Sequence, residues 1–198
     1  MKLLLGAGAD PRQPDGQNAL AVAVSAGNKE LIDLLLAAGA EIDAWHVEST
    51  ALNCAVARGR LDIVRHLLSR GAKCSIDDGT ALAAAAKRGD SAMIDLLLAA
   101  GASLDRHGDK ALQEAIYALR EEAVAFLLRR GAKPGRGAVE AARQWHTKKL
   151  QEAQYVRQHR AEILQPEFAK ATIAEAAIAE RILRLIEGAA LDPAVFPP

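Results

Sequence analysis

Aromatic residues are scarce in this chain of 198: three Phe, two Trp and two Tyr, or 4% of the whole. Sandwich and barrel cores lean on aromatic and β-branched side chains, so the shortage argues against an all-β architecture. Cysteine is almost absent. Cys54 and Cys74 give neither a disulfide framework nor paired ligand-spaced motifs, which makes a reducing, cytoplasmic setting the simplest expectation. No apolar run approaches the roughly 18 residues of a membrane helix. Leu3-Leu4-Leu5 is too short for the core of a secretion signal. Net charge is missing as well: 25 Lys and Arg offset 25 Asp and Glu, so the whole chain has no overall attraction to nucleic acid or an anionic membrane.

Alanine is what the chain has in excess, with 43 residues among an apolar share of 51%. Small side chains of high helix propensity suit closely packed helices. They also recur in order. Leu3-Leu4-Leu5-Gly6-Ala7-Gly8-Ala9-Asp10 aligns with Leu34 to Glu41, Leu67 to Lys73, Leu96 to Ser103 and Phe126 to Lys133. The glycines Gly8, Gly39, Gly71, Gly101 and Gly131 stand 31, 32, 30 and 30 residues apart. Between them runs a second block: Asn18-Ala19-Leu20 before Gly27, Thr50-Ala51-Leu52 before Gly59, Thr80-Ala81-Leu82 before Gly89, and Lys110-Ala111-Leu112 with no glycine after it.

Each period reads as two short helices. The first, such as Thr50 to Arg58, opens at a side-chain oxygen able to bond an orphan amide and closes at a glycine suited to the left-handed region. The second, such as Leu61 to Arg70, carries Ile63, Val64, Leu67 and Leu68 on one face and stops at Gly71. Helices of about ten residues are marginal alone, so the core must be completed by stacking.

In Thr50-Ala51-Leu52, Ala55, Gly59, Ile63-Val64, Leu67-Leu68 and Gly71-Ala72 the chain resembles the ankyrin repeat family over about residues 1–133. The resemblance implies an all-α ankyrin-repeat solenoid of stacked helix-turn-helix units with short fingers. Residues 1–10 form a half repeat, with repeats at about 11–41, 42–73, 74–103 and 104–133. The pattern departs from the family where Ala19, Ala51, Ala81 and Ala111 stand for its proline, and Ala21, Asn53, Ala83 and Gln113 for its histidine. The threonine–histidine hydrogen bonds of the family are therefore expected to be absent. Leu119 occupies a glycine position where left-handed backbone costs roughly 1–2 kcal/mol, so that turn is expected to be rebuilt.

Both ends depart from the period. Met1 to Gly6 corresponds to the middle of a second helix, which reads as a fragment of a longer array or a short natural start. Past Gly131, 137–165 reads as one long helix with Val139, Ala142, His146, Leu150, Ala153, Val156 and Leu164 on a stripe, stopped by Pro166; a second helix runs from Pro166 to Glu187. Residues 134–198 are thus expected to form an elongated helical hairpin that caps the stack, either as an expanded fifth repeat or as a plain cap.

No motif proposes catalysis. Gly135-Arg136-Gly137 lacks the Lys and Ser or Thr of a phosphate loop, and Asp77-Asp78-Gly79 lacks the alternating ligands of a calcium loop. The five histidines form no metal-ligand pair. The expectation is a non-enzymatic protein with no cofactor and no metal. Cys54 reads as a small core residue.

From the resemblance, the binding surface comprises the fingers and the exposed side of the first helices. The residues so assigned are Trp45, His46, Arg106 and His107 on fingers, joined by Ile76 and Asp77, with Arg58, Lys87, Arg88 and Tyr117 toward the helix turns. Trp45 and Tyr117 lead because aromatics and arginine dominate interface hot spots. Residues 1–48 sum to minus four, 49–133 and 134–165 to plus three each, and 166–198 to minus two, which would steer an acidic partner toward the basic middle. The expected partner is another protein, in the manner of bacterial ankyrin proteins that act as inhibitors or immunity partners of a toxin or enzyme. The alternatives are a nucleic-acid adaptor using Arg143, Lys148, Lys149, Arg157 and Arg160, and a structural module self-associating through its N-terminal edge.

Overall fold

A computed structural model describes residues 14–46, 49–74, 79–159 and 166–191. Among them the elements in order are α1 Pro14–Ala26, α2 Lys29–Ala37, β1 Trp45–His46, β2 Ser49–Thr50, α3 Ala51–Ala57, α4 Leu61–Ser69, α5 Thr80–Arg88, α6 Ser91–Ala99, α7 Leu104–Tyr117, α8 Glu121–Arg129, α9 Arg136–Gln158 and α10 Pro166–Leu191. The architecture is the all-α repeat fold that the sequence predicts. The chain forms two compact units, Met1–Ala85 with Ala92–Ala102, and Ala86–Ser91 with Ser103–Pro198.

In the first unit the helix pairs α1/α2 and α3/α4 each pack internally, and α1 packs on α3. The apolar stripe of α4 buries Ile63, Val64 and Leu67 completely, and α2 buries Ile32 and Leu35. At roughly 1.5–3 kcal/mol for each large aliphatic side chain, this burial supplies most of what holds the pairs together. Thr50 caps α3 by accepting from the Asn53 amide at 3.3 Å. The turn after α3 closes through Gly59, at φ 68°, with the Arg60 N–H reaching Ala55 O at 3.0 Å. Polar ties repeat at one period: Asp33 Oδ1 accepts from His66 Nε2 and Arg70 Nε, both at 2.8 Å. The Lys73 amide donates to Asp43 at 3.0 Å. The Asn53 side chain is 4% exposed, and both its polar atoms lack a hydrogen-bond partner.

In the second unit α7 packs on α8, α9 on α7, α10 on α8, and α9 on α10. The ties Arg143–Glu187 and Lys149–Glu175 run in opposite sense along the two long helices, which makes them antiparallel. Here four sequence expectations need correction.

The first helix of the fourth repeat does not wait for Lys110. Ser103 accepts from the Arg106 amide at 3.4 Å and starts α7 at Leu104, so the finger is absorbed into helix. Leu119 does not rebuild its turn: it takes φ 54°. Its amide bonds Ile116 O at 2.9 Å, and the Arg120 amide bonds Ala115 O at 2.8 Å, the arrangement found at Gly59. Packing of α7 against α8 overrides the local cost. The long helix spans Arg136–Gln158 rather than 137–165. Its buried stripe holds Ala138, Ala141, Ala142, Ala153 and Val156, while Leu150 is 40% exposed. Finally, α10 runs through Gly188 to Leu191 without stopping at Glu187. The expected half helix at 1–10, the residues Ile76 and Asp77, and Leu164 lie outside the described residues. Cys54 is only half-buried, whereas Cys74 is buried; neither is in a disulfide.

The junction into α9 explains the Gly-Arg-Gly sequence. Asp109 of α7 accepts through Oδ1 from the amides of Gly135 (2.7 Å) and Ala138 (3.0 Å), and through Oδ2 from Gln113 Nε2 (3.0 Å). It thereby caps α9, whose own leading residue has no side chain to do so. A Cβ on Gly135 would stand 2.8 Å from the Asp109 Cγ, and one on Gly137 would stand 2.4 Å from Gln113 Nε2.

Candidate partner-binding surface

In the first unit, Trp45 sits on β1, paired antiparallel with Thr50 across a hairpin whose other pair is His46 with Ser49. Two residues per strand are enough to hold the finger because α1 packs against β1 and α3 against β2. Trp45 is 55% exposed, unusual for so large an apolar ring. The side chain of His46 lies outside the described residues. Arg58 follows α3 as its C-cap and is exposed, where a cation complements the helix dipole.

In the second unit, Lys87 and Arg88 end α5, likewise at the favourable end of a helix dipole. Lys87 Nζ lies 3.3 Å from Glu114 Oε2 of α7, and Arg120 Nε donates to the Lys87 carbonyl at 3.2 Å. Arg106 and His107, expected on a finger, lie instead inside α7, near its start. Tyr117 is the last residue of α7 and is 44% exposed. Its ring meets Trp145 of α9 edge to face, with centroids 6.0 Å apart and planes at 85°. The structure thus joins Tyr117 to Trp145, a residue the sequence pattern passed over because the expected stripe ran through its neighbour His146.

Lysines surround Trp145: Lys148 Nζ is 4.7 Å and Lys149 Nζ 5.4 Å from the ring centroid. Lys149 also holds Glu152 of α9 at 2.8 Å and Glu175 of α10 at 2.9 Å. Burial works against its charge, but the hydrogen bonds and negative charge of the two glutamates outweigh that and hold the ammonium above the ordinary lysine value. Arg143 is tied to Glu187 at 3.0 Å. Of the cations that would serve a nucleic-acid reading, Arg143 and Lys149 are therefore engaged within the protein, Arg157 is exposed, and Arg160 lies outside the described residues. Tyr155 and Phe168, 60% and 59% exposed, were not anticipated either. The signal available for them was their rarity as aromatics.

Among the described residues no group of three or more His, Cys, Asp or Glu could hold a metal ion, and no helix is long and apolar enough to cross a membrane. The geometry offers exposed aromatic rings set in polar surroundings, which suits recognition of another surface.

Comparison with known proteins matches residues 1–78 and 73–137 to the family model described as ankyrin repeats (3 copies). The chain is 35% identical to an L-asparaginase of Dirofilaria immitis over 61% of this chain and 22% of that protein. It is 40% identical to E3 ubiquitin-protein ligase KEG of Arabidopsis thaliana over 39% of this chain and 5% of that one. It is 36% identical to the ankyrin repeat domain-containing protein SAT10 of Stachybotrys chartarum over 59% and 6%. The chain spans between 5% and 22% of the length of these curated relatives.

Proposed function

The chain belongs to the ankyrin repeat family, and from that premise we propose that it is a non-enzymatic scaffold that binds another protein through its exposed first-helix ends and finger. Ankyrin repeats generally mediate protein–protein interaction. The observation that carries the reading here is the exposure of Trp45 and Tyr117 in a chain with only seven aromatics. Arg58, Lys87, Arg88, Arg106 and His107 supply the polar rim in this reading. Engagement of Arg143 and Lys149 in ion pairs favours a protein partner over nucleic acid. Two cysteines outside any disulfide fit a reducing, cytoplasmic setting. The finer role, an inhibitor or immunity-type partner of a toxin or enzyme, is an extension of the same reading. The relatives come from eukaryotes and lend its bacterial form no support.

We read residues 134–198 as an expanded fifth repeat. Support comes from the slots its helices fill: α9 lies on the first helix of the preceding pair, α7, and α10 on the second, α8.

The test uses a partner recovered by affinity capture and then titrated against variants of the full chain. Trp45→Ala is expected to weaken binding by roughly tenfold or more, the scale of an interface hot spot, with little change in melting temperature. Tyr117→Ala is expected to weaken binding similarly while also losing its edge contact with Trp145, worth about 0.5–1.5 kcal/mol of stability. Unchanged affinity in both, or unfolding of Trp45→Ala, would show that the surface is misassigned.

A further inference from the structure

The two long helices outrun the pair they pack on. Tyr117, where α7 ends, touches Trp145. Glu121, where α8 begins, grips Arg181 through two contacts of 2.8 Å. Stepping by three and four residues from these contacts keeps to one face of each helix. On α9 the steps reach Lys149, Glu152 and Val156; on α10 they reach Ile178, Glu175, Ala171 and Phe168. The faces that nearer the repeats meet α7 and α8 therefore continue past the end of α7 and the start of α8.

These continuing faces enclose a cleft of about 640 Å³. Tyr155, Val156, Phe168 and Ala171 give it apolar walls, and Lys149, Glu152 and Glu175 stand together in it. Tyr155 stacks on His159 with centroids 4.2 Å apart, which fixes its ring while leaving it mostly exposed.

Charge and shape select the occupant. Lys149 is one ammonium shared between two carboxylates, so the cleft holds surplus negative charge. Glu152 and Glu175 keep 39% and 45% of their side-chain surface in water. An occupant that covers them must bring a cation or strand a carboxylate against apolar surface. A second copy would bring the same surplus and set like charges against each other across a two-fold axis. The overhang, residues 146–158 of α9 and 166–180 of α10, or about 20 Å of each helix, also offers a strip too short for the roughly 1,600 Å² of a standard interface. A groove between two antiparallel helices admits a third helix, which satisfies its own backbone hydrogen bonds.

We propose that this cleft docks an amphipathic helix of the partner protein, apolar toward Tyr155 and Phe168 and carrying a lysine or arginine for the Glu152 and Glu175 pair. This rests on the scaffold reading and adds a second anchor to it.

Two synthetic helical peptides of about 15 residues, with the same leucine stripe flanked by lysine in one and glutamate in the other, test the proposal against the full chain by fluorescence anisotropy. The lysine peptide is expected to bind at least about tenfold more tightly than the glutamate peptide. Phe168→Glu, at an exposed site where circular dichroism checks folding, should weaken it about tenfold, and Glu175→Lys should reverse the preference. Binding of neither peptide, equal binding of both, or indifference to Phe168→Glu would overturn the proposal. So would sedimentation as a dimer that Phe168→Glu dissociates, since a second copy would then fill the cleft. A captured partner sensitive to Trp45→Ala but not to Phe168→Glu sinks this docking seat and leaves the scaffold reading standing. Lysine-peptide binding with a partner indifferent to Trp45→Ala and Tyr117→Ala does the reverse.

Discussion

Leu119 is the residue at which local preference and packing oppose each other most openly. At φ 54° it adopts a conformation that costs a branched or bulky side chain roughly 1–2 kcal/mol, and the turn it occupies has glycine in the equivalent places, 27, 59 and 89. Leu119→Gly is therefore expected to stabilise the protein by about 0.5–1 kcal/mol, after the looser unfolded chain takes back part of the gain. A lower denaturation midpoint would mean that the half-buried leucine side chain contributes more than its backbone costs. Asp33 gives a second residue-scale prediction. Desolvation pushes its carboxyl up, but hydrogen bonds and charge from His66 and Arg70 outweigh it and hold the group below its ordinary value of 3.8. The folded carboxyl is the stronger acid, so its stabilising contribution is complete above 3.8 and is lost as pH falls through the lower folded value. The stability gap between wild type and Asp33→Asn, followed by denaturation at stepped pH, should be flat near neutrality and close only in acid.

Elements built from local signals were legible in the sequence. Thr50, Gly59 and the Ile63, Val64 and Leu67 stripe mark α3 and α4 because a cap, a left-handed glycine and a helical period each act within a few residues. What was not legible depends on residues far apart in the chain. The helical fourth finger follows from Ser103 capping a segment that then packs at Gly108 against Ala132. The face of α9 is set by Asp109, 26 residues before the amide it holds. The expected stripe shares Ala142, Ala153 and Val156 with the buried one and departs from it at His146 and Leu150, where it passed over the neighbouring Trp145. Trp45 and Tyr117, marked by both rarity and the family pattern, are exposed in the structure. Asp109→Ala removes the cap of α9 and is expected to cost about 0.5–2 kcal/mol, read as a fall in chemical midpoint. A variant as stable as wild type would mean that water replaces the carboxylate at no cost.

For the molecule as a whole, the reading of 134–198 as an expanded repeat makes a prediction about truncation. Ending the chain after Lys133 would expose the faces of α7 and α8 that α9 and α10 cover, and would strip Asp109, Tyr117 and Glu121 of their partners there. Such a chain should lose solubility or melt well below the full one, with the loss confined to the second unit in hydrogen exchange. Equal stability of the two chains would reduce the hairpin to an appendage. Zero net charge, which promises little attraction for any partner, conceals an acidic start and a basic middle, so association with an acidic protein should slow as salt is raised.

The clip at Asp109, Gly135 and Gly137 has a wider consequence. A hairpin whose helices are 23 and 26 residues long is fastened to its neighbour by this clip together with the Tyr117–Trp145 contact and the Arg181–Glu121 pair. Giving another array the same aspartate in its last first helix, followed at the same spacing by Gly-Arg-Gly, would furnish it with one of the three fastenings this hairpin uses. The clip in that sense is the portable part of the joint.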